Sequence, residues 1–230
     1  KLVKHLINFI DESPSNYFAC INTKNILNEK GFIELLETEE WKLKKGGKYF
    51  VTINDSGIIA FTIGSEKISE CGYKIAASHT DSPGFLIKPN PEINRKGFNI
   101  LNTEVYGGPI LSTWFDRPLS FSGRVFVESD NAFKPKKYFI KYDKDLFIIP
   151  SLCIHQNRGV NDGMAINAQK DTLPLVTITD EKEKFSLKKL LAKQLKVKED
   201  KILSYDLNLY SREKGCLLGA NEEFISVGRL

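Results

Sequence analysis

The chain has 230 residues, 41% hydrophobic and 27% charged, which excludes disordered, low-complexity and collagen-like classes. Lys and Arg number 33 against 29 Asp and Glu, a net charge of +4. These charges are interspersed, so no nucleic-acid partner is expected. No run of about 18 apolar residues is present, so no membrane partner is expected either.

Leu2, Val3, Leu6, Ile7 and Ile10 recur at helical spacing, which predicts a first helix. His5 falls on its polar side and reads as a surface residue. No apolar signal-peptide stretch or cleavage site accompanies it. Asp11-Glu12-Ser13-Pro14 breaks this helix. A second starts with Ser15 as N-cap, carries Phe18, Ile21 and Ile26, and stops at Gly31. Lys48–Ile53 and Ile58–Ile63 read as strands of a hairpin joined by Asn54-Asp55-Ser56-Gly57. Lys74 to Ser78 is a short apolar run suited to a central buried strand, and it delivers His79 at its end.

From about Ile93 the texture becomes β-rich, with strand-like runs at 121–127, 138–142, 146–149 and 173–178. One helix interrupts them. Ser186 is its N-cap, Phe185 and Leu190 form a hydrophobic staple, and Leu187, Leu190, Leu191 and Leu195 make its stripe. Lys188, Lys189, Lys193, Lys196 and Lys198 read as its solvated face. Leu203, Tyr205, Leu207 and Leu209 alternate with polar residues, as in a half-buried strand. The four cysteines, Cys20, Cys71, Cys153 and Cys216, lie far apart without a CxxC pair. They are expected to be free, mostly buried thiols of a reducing compartment.

His79 lies in Ser78-His79-Thr80-Asp81-Ser82-Pro83. A neutral imidazole can bind a metal through one nitrogen while an acceptor such as Asp81 holds the other N–H. On spacing alone, a loop histidine with an Asp turn cap is the favoured reading. Asp116 and Arg117 are adjacent, so they cannot face each other on a strand and each needs another partner.

Several blocks together resemble the aspartyl aminopeptidase family of cocatalytic zinc metallopeptidases. The most specific are Ser78-His79-Thr80-Asp81-Ser82-Pro83 and Ser112-Thr113-Trp114-Phe115-Asp116-Arg117-Pro118-Leu119. Asp11–Ser15, Gly31-Phe32, Leu36–Trp41, Tyr106–Gly108, Ile149-Pro150, Ile154–Arg158 and Glu223-Phe224-Ile225 extend the match over nearly the whole chain.

The resemblance implies that His79 is the first zinc ligand. Asp81, counted with the catalytic residues, matches the acid that backs it. His155 matches a second family histidine, which binds metal or reaches a neighbouring subunit's site to contact substrate; a buried structural histidine is the other reading. The Trp-Phe-Asp-Arg block reads as structural or as a substrate-side pair. Glu222 and Glu223 precede the family's Arg-Leu landmark, here Arg229-Leu230, and are expected to be structural rather than the catalytic glutamates.

The implied fold class is α/β: a partial catalytic domain of zinc-aminopeptidase type with an inserted β-rich dimerisation and lid domain. Its divisions are residues 1–92, 93–217 and 218–230, the last a return into the catalytic domain. The implied activity is removal of an N-terminal residue, Asp or Glu, from peptide substrates by water activated on two zinc ions per subunit. Cobalt or manganese could occupy the same ligands. The remaining ligands and catalytic glutamate are expected beyond Leu230, so this chain alone is expected not to turn over substrate. Self-association into dimers and larger homo-oligomers and a cytoplasmic location complete the expectation. The alternatives are a zinc aminopeptidase of other specificity and a non-catalytic homologue or assembly module.

Overall fold

In the computed structural model, which describes residues 1–66, 72–163, 165–178 and 184–229, the first apolar repeat folds as α1 (Leu2–Glu12). Pro14 cannot continue it, and the Ser13 N–H closes it on the Ile10 carbonyl at 3.1 Å. Of its stripe Ile7 is buried, while Leu2, Val3 and Leu6 stay exposed. Helix α2 (Asn16–Glu29) follows Ser15, which is extended as an N-cap residue is. Gly31 ends it at φ 77°, and the Phe32 N–H reaches the Leu27 carbonyl at 3.0 Å.

Strands β1 (Ile33–Glu34), β2 (Lys48–Ile53) and β3 (Gly57–Thr62) make a small sheet in that order. β1 runs parallel to β2, and β2–β3 is the predicted hairpin. Asn54 and Asp55 turn it at φ 53° and 63°, a region that short polar side chains tolerate. Tyr17, Cys20, Tyr49, Phe50 and Val51 are buried here.

The expected buried strand at Lys74–Ser78 does not form. The segment is irregular, every residue is exposed, and Ile75 stands 85% open. An apolar run becomes a strand only where a ladder accepts it, and among the described residues the sheet β1-β2-β3 does not.

The chain divides into two compact units, Lys1–Ser82 and Pro83–Leu230. The second is built on an antiparallel sheet of order β7-β6-β9-β4-β5-β8. Strands β4 (Gly84–Arg95) and β5 (Phe98–Tyr106) form its longest hairpin, closed by Lys96 and Gly97, both at positive φ. That two-residue turn matches the twist of the strands it joins. Strands β6 (Leu119–Val127), β7 (Lys136–Lys141) and β8 (Leu175–Ile178) follow. The run at 146–149 makes only isolated bridges, among them those to Leu119 and Leu175.

Helix α3 (Leu187–Leu195) buries Leu187 and Leu191 against this unit's core. The Ser186 hydroxyl accepts from the Lys189 N–H at 3.1 Å, and Glu92 accepts from the Leu187 N–H at 2.8 Å. The lysine face is exposed, as its pattern predicts.

Strand β9 (Ile202–Ser211) departs from strict alternation. Leu207 and Leu209 point inward, but Leu203 is 53% exposed and Ile202 is buried. The register against β6 shifts between Phe126 and Val127, so Leu203 is left out and Ile202 turns in. Strands β10 (Cys216–Leu218) and β11 (Phe224–Ser226) form a separate hairpin. Among the described cysteines all are free, yet only Cys20 is buried; Cys153 and Cys216 are exposed, because both sit outside the packed sheet faces. Cys71 lies outside the described residues.

Candidate functional site

The segment carrying His79 is fixed to the β2–β3 hairpin. The Thr80 hydroxyl donates to the Ser56 carbonyl at 2.7 Å, within the hairpin's turn. One residue on, Asp81 holds the imidazole. His79 Nδ1 lies 2.8 Å from the Asp81 backbone oxygen and 3.4 Å from its carboxylate Oδ1. Asp81 is therefore His79's partner, as its spacing predicts, but chiefly through its main chain.

This contact sets the tautomer. A carbonyl oxygen only accepts, so Nδ1 carries the proton and, in the neutral imidazole, Nε2 carries the lone pair. Nε2 is then the nitrogen able to take a metal, with the Asp81 carbonyl fixing the ring's orientation. The ring is 64% exposed, so its outer edge is accessible. This donor chemistry fits one ligand of a zinc site. A catalytic zinc takes three protein ligands, and among the described residues no group of three His, Cys, Asp or Glu converges.

His155 belongs to the other compact unit. It sits in a turn closed by the Gln156 N–H on the Cys153 carbonyl at 2.9 Å. It is exposed, not the buried histidine of the alternative reading. Leu152, Ile154 and Val160 around it are exposed too. His5 is exposed on α1, as expected.

The Trp-Phe-Asp-Arg block resolves into four separate contacts. Trp114 meets Phe85 edge to face, with centroids 5.0 Å apart. Gly84 makes room for the indole, since a Cβ there would stand 3.0 Å from its ring. Phe115 bridges Ile149. The Asp116 carboxylate accepts from the Ser151 N–H at 2.9 Å. Hydrogen bonding to the side chain and the main chain of Ser151 holds its pKa below the ordinary carboxylate value. Arg117 pairs with Glu213. Adjacent charges thus find different partners, as adjacency on a chain requires. Sequence reasoning did not find the Asp116–Ser151 contact; the signal was Pro150, which leaves Ser151 the next N–H after Ile149.

Glu223 is structural in the same sense. Its carboxylate accepts from the Asn221 N–H at 3.0 Å and from the Asn221 side-chain amide at 2.8 Å. It thereby closes the β10–β11 turn, and these bonds lower its pKa.

The aminopeptidase I zinc metalloprotease (M18) family model matches residues 9–230. A probable M18 family aminopeptidase 2 of Clostridium acetobutylicum is 50% identical over 234 residues, covering all of this chain and 54% of the relative. This chain thus spans about half the length of the curated relatives it matches. A chain in a cryo-EM structure of the Ape4 and Nbr1 complex superposes with a TM-score of 0.90 at 34% identity, covering 97% of this chain and 46% of that one. The S. cerevisiae mApe1 dodecamer superposes at 0.80 over 98% of this chain and 51% of that one, but at 22% identity this shows the shared fold alone. By its sequence over nearly its whole length, the chain belongs to the M18 family of aminopeptidase I zinc metalloproteases.

Proposed function

We propose that the whole protein is a zinc-dependent aminopeptidase that removes an acidic N-terminal residue from peptides, with His79 as one ligand of a two-zinc site. The observation that carries this is the His79–Asp81 pair, whose 2.8 Å contact commits Nδ1 to the chain and leaves Nε2 as the donor. The further ligands come from outside the described residues. Bound zinc would supply Lewis acidity toward the scissile carbonyl and bring the pKa of water near neutrality. Asp81 keeps the ring from rotating and, in the neutral imidazole, places the proton on Nδ1. Thr80 ties the segment to the hairpin, so the donor stays at a fixed place.

His155 reads as a substrate-side residue. Its exposed loop, with Leu152, Ile154 and Val160 uncovered, suits a contact made against another copy. Self-association and a β-rich unit serving it, residues 93–217, form part of this reading. Among the described residues no helix is long and apolar enough to cross a membrane; the cytoplasm is the proposed location.

The test is metal content and peptidase activity of the whole protein beside His79→Ala. Wild type should hold about two zinc ions per subunit, and the variant should lose metal together with at least about 100-fold in rate. Unchanged metal would overturn the assignment of His79. A panel of N-terminal Asp, Glu, Leu and Lys substrates tests specificity; equal rates on Leu and Asp would defeat the acidic preference.

A further inference from the structure

The His155 loop leaves the sheet-covered part of its unit at one defined place. Residues 146–149 run beside 115–119, with the Leu119 N–H on the Phe147 carbonyl at 2.9 Å and the Phe147 N–H returning to Leu119 at 3.0 Å. The Asp116 N–H then donates to the Ile149 carbonyl at 2.9 Å. Pro150 has no N–H, so main-chain pairing must lapse there. The next donor is the Ser151 N–H, and it is taken at 2.9 Å by Asp116 Oδ1. From Leu152 to Gln156 every residue is exposed.

Asp116 therefore grips the chain on both sides of Pro150, with its main chain before and its side chain after. To do so it adopts φ 58°, a left-handed conformation that is costly for most side chains and tolerated by Asp and Asn. The residues on either side hold Asp116 in place. Trp114 packs on Phe85, and Arg117 pairs with Glu213. The depressed pKa of the carboxyl keeps it an acceptor through the neutral range.

We infer that Asp116 is a positioning residue for His155: it latches the root of the loop at Ser151, four residues before the imidazole, and so sets where His155 is presented. This rests on the proposed substrate-side role of His155 for its kinetic consequence, but the latch itself does not depend on that role.

The test uses three variants of the whole protein. Asp116→Gly keeps the left-handed backbone at no steric cost and removes the acceptor. Asp116→Asn keeps both the conformation and a side-chain oxygen. His155→Ala removes the presented group. Amide hydrogen exchange is read at Ser151–Asn157, together with KM and kcat on an N-terminal Asp peptide.

The expected result is exchange at Ser151 and the residues after it faster by roughly tenfold or more in Asp116→Gly, with near wild-type protection in Asp116→Asn. Asp116→Gly should shift KM and kcat in the same sense as His155→Ala. The double variant should be no worse than His155→Ala alone, because the two act through one group. Unchanged exchange in Asp116→Gly overturns the latch. Additive kinetic losses overturn its action through His155. If His155→Ala leaves kinetics unchanged while Asp116→Gly loosens the loop, the latch stands and the proposed role of His155 fails. Should Asp116→Gly unfold globally, Ser151→Pro, which removes the bonded N–H and leaves Asp116 in place, gives the same readout on exchange at the residues after it.

Discussion

A buried hydroxyl without a partner marks the cost that a folded chain can carry. Thr103 on β5 is 1% exposed, and its Oγ1 has no hydrogen-bond partner among the described residues. Replacing it by Val keeps the branched shape and removes the unmet polar group, so Thr103→Val should stabilise the protein by about 1 kcal/mol in urea unfolding. Asp116 gives the opposite case. Its carboxyl is held below the ordinary carboxylate pKa by hydrogen bonding to Ser151. Its ionised form therefore contributes stability above the unfolded value of about 3.9, and that contribution is lost as pH falls through the lower folded value. The stability difference between wild type and Asp116→Asn should be flat from pH 7 to about 5 and shrink below about 4, where thermal melts at several pH values would read it.

At the scale of elements, two close approaches decide whether the sheet and its helix form. A Cβ on Gly123 in β6 would lie 2.0 Å from the Asp206 carbonyl and 2.9 Å from Leu207 Cα in β9. Both neighbours are backbone in the middle of the β6–β9 ladder, so they cannot give way without parting it. Gly123→Ala should cost about 3 kcal/mol or more in chemical denaturation, at the upper end of overpacking costs. Helix α3 depends on its first turn, where Ser186 and Glu92 each take a main-chain N–H. Ser186→Ala should lower stability by about 1 kcal/mol. Leu203 shows how an element corrects a pattern: the bulge opposite Phe126 and Val127 moves the inward role to Ile202.

At the scale of the molecule, the apolar residues are unevenly shared. The large cluster that includes Phe85, Leu101, Phe121, Ile149, Leu191 and Leu207 lies wholly within Pro83–Leu230. Lys1–Ser82 buries far fewer large side chains, and its apolar Lys74–Ser78 run stays exposed. A core of this kind supports independent folding. Expressed alone, residues 83–230 should melt cooperatively with near-native hydrogen-exchange protection in β6 and β9, whereas residues 1–82 alone should show weak protection throughout. Equal protection in both pieces would defeat this reading.

The local features legible in the chain were those set by neighbours in sequence. The breaks at Pro14 and Gly31, the Asn54-Asp55 turn, the Ser186 cap and the lysine face of α3 follow from single-residue conformational preferences and short periodicities. The His79–Asp81 pair was legible for the same reason, since its motif is contiguous, and the family was legible from blocks spread over nearly the whole chain. Tertiary structure decided whatever depends on a distant partner. A ladder refuses Lys74–Ser78 because no strand among the described residues accepts its N–H and C=O groups. Ile202 replaces Leu203 because of the register of β6, and Asp116 finds Ser151 because 115–119 runs beside 146–149. Periodicity records which residues prefer burial or a strand; only the fold supplies the groups that satisfy them.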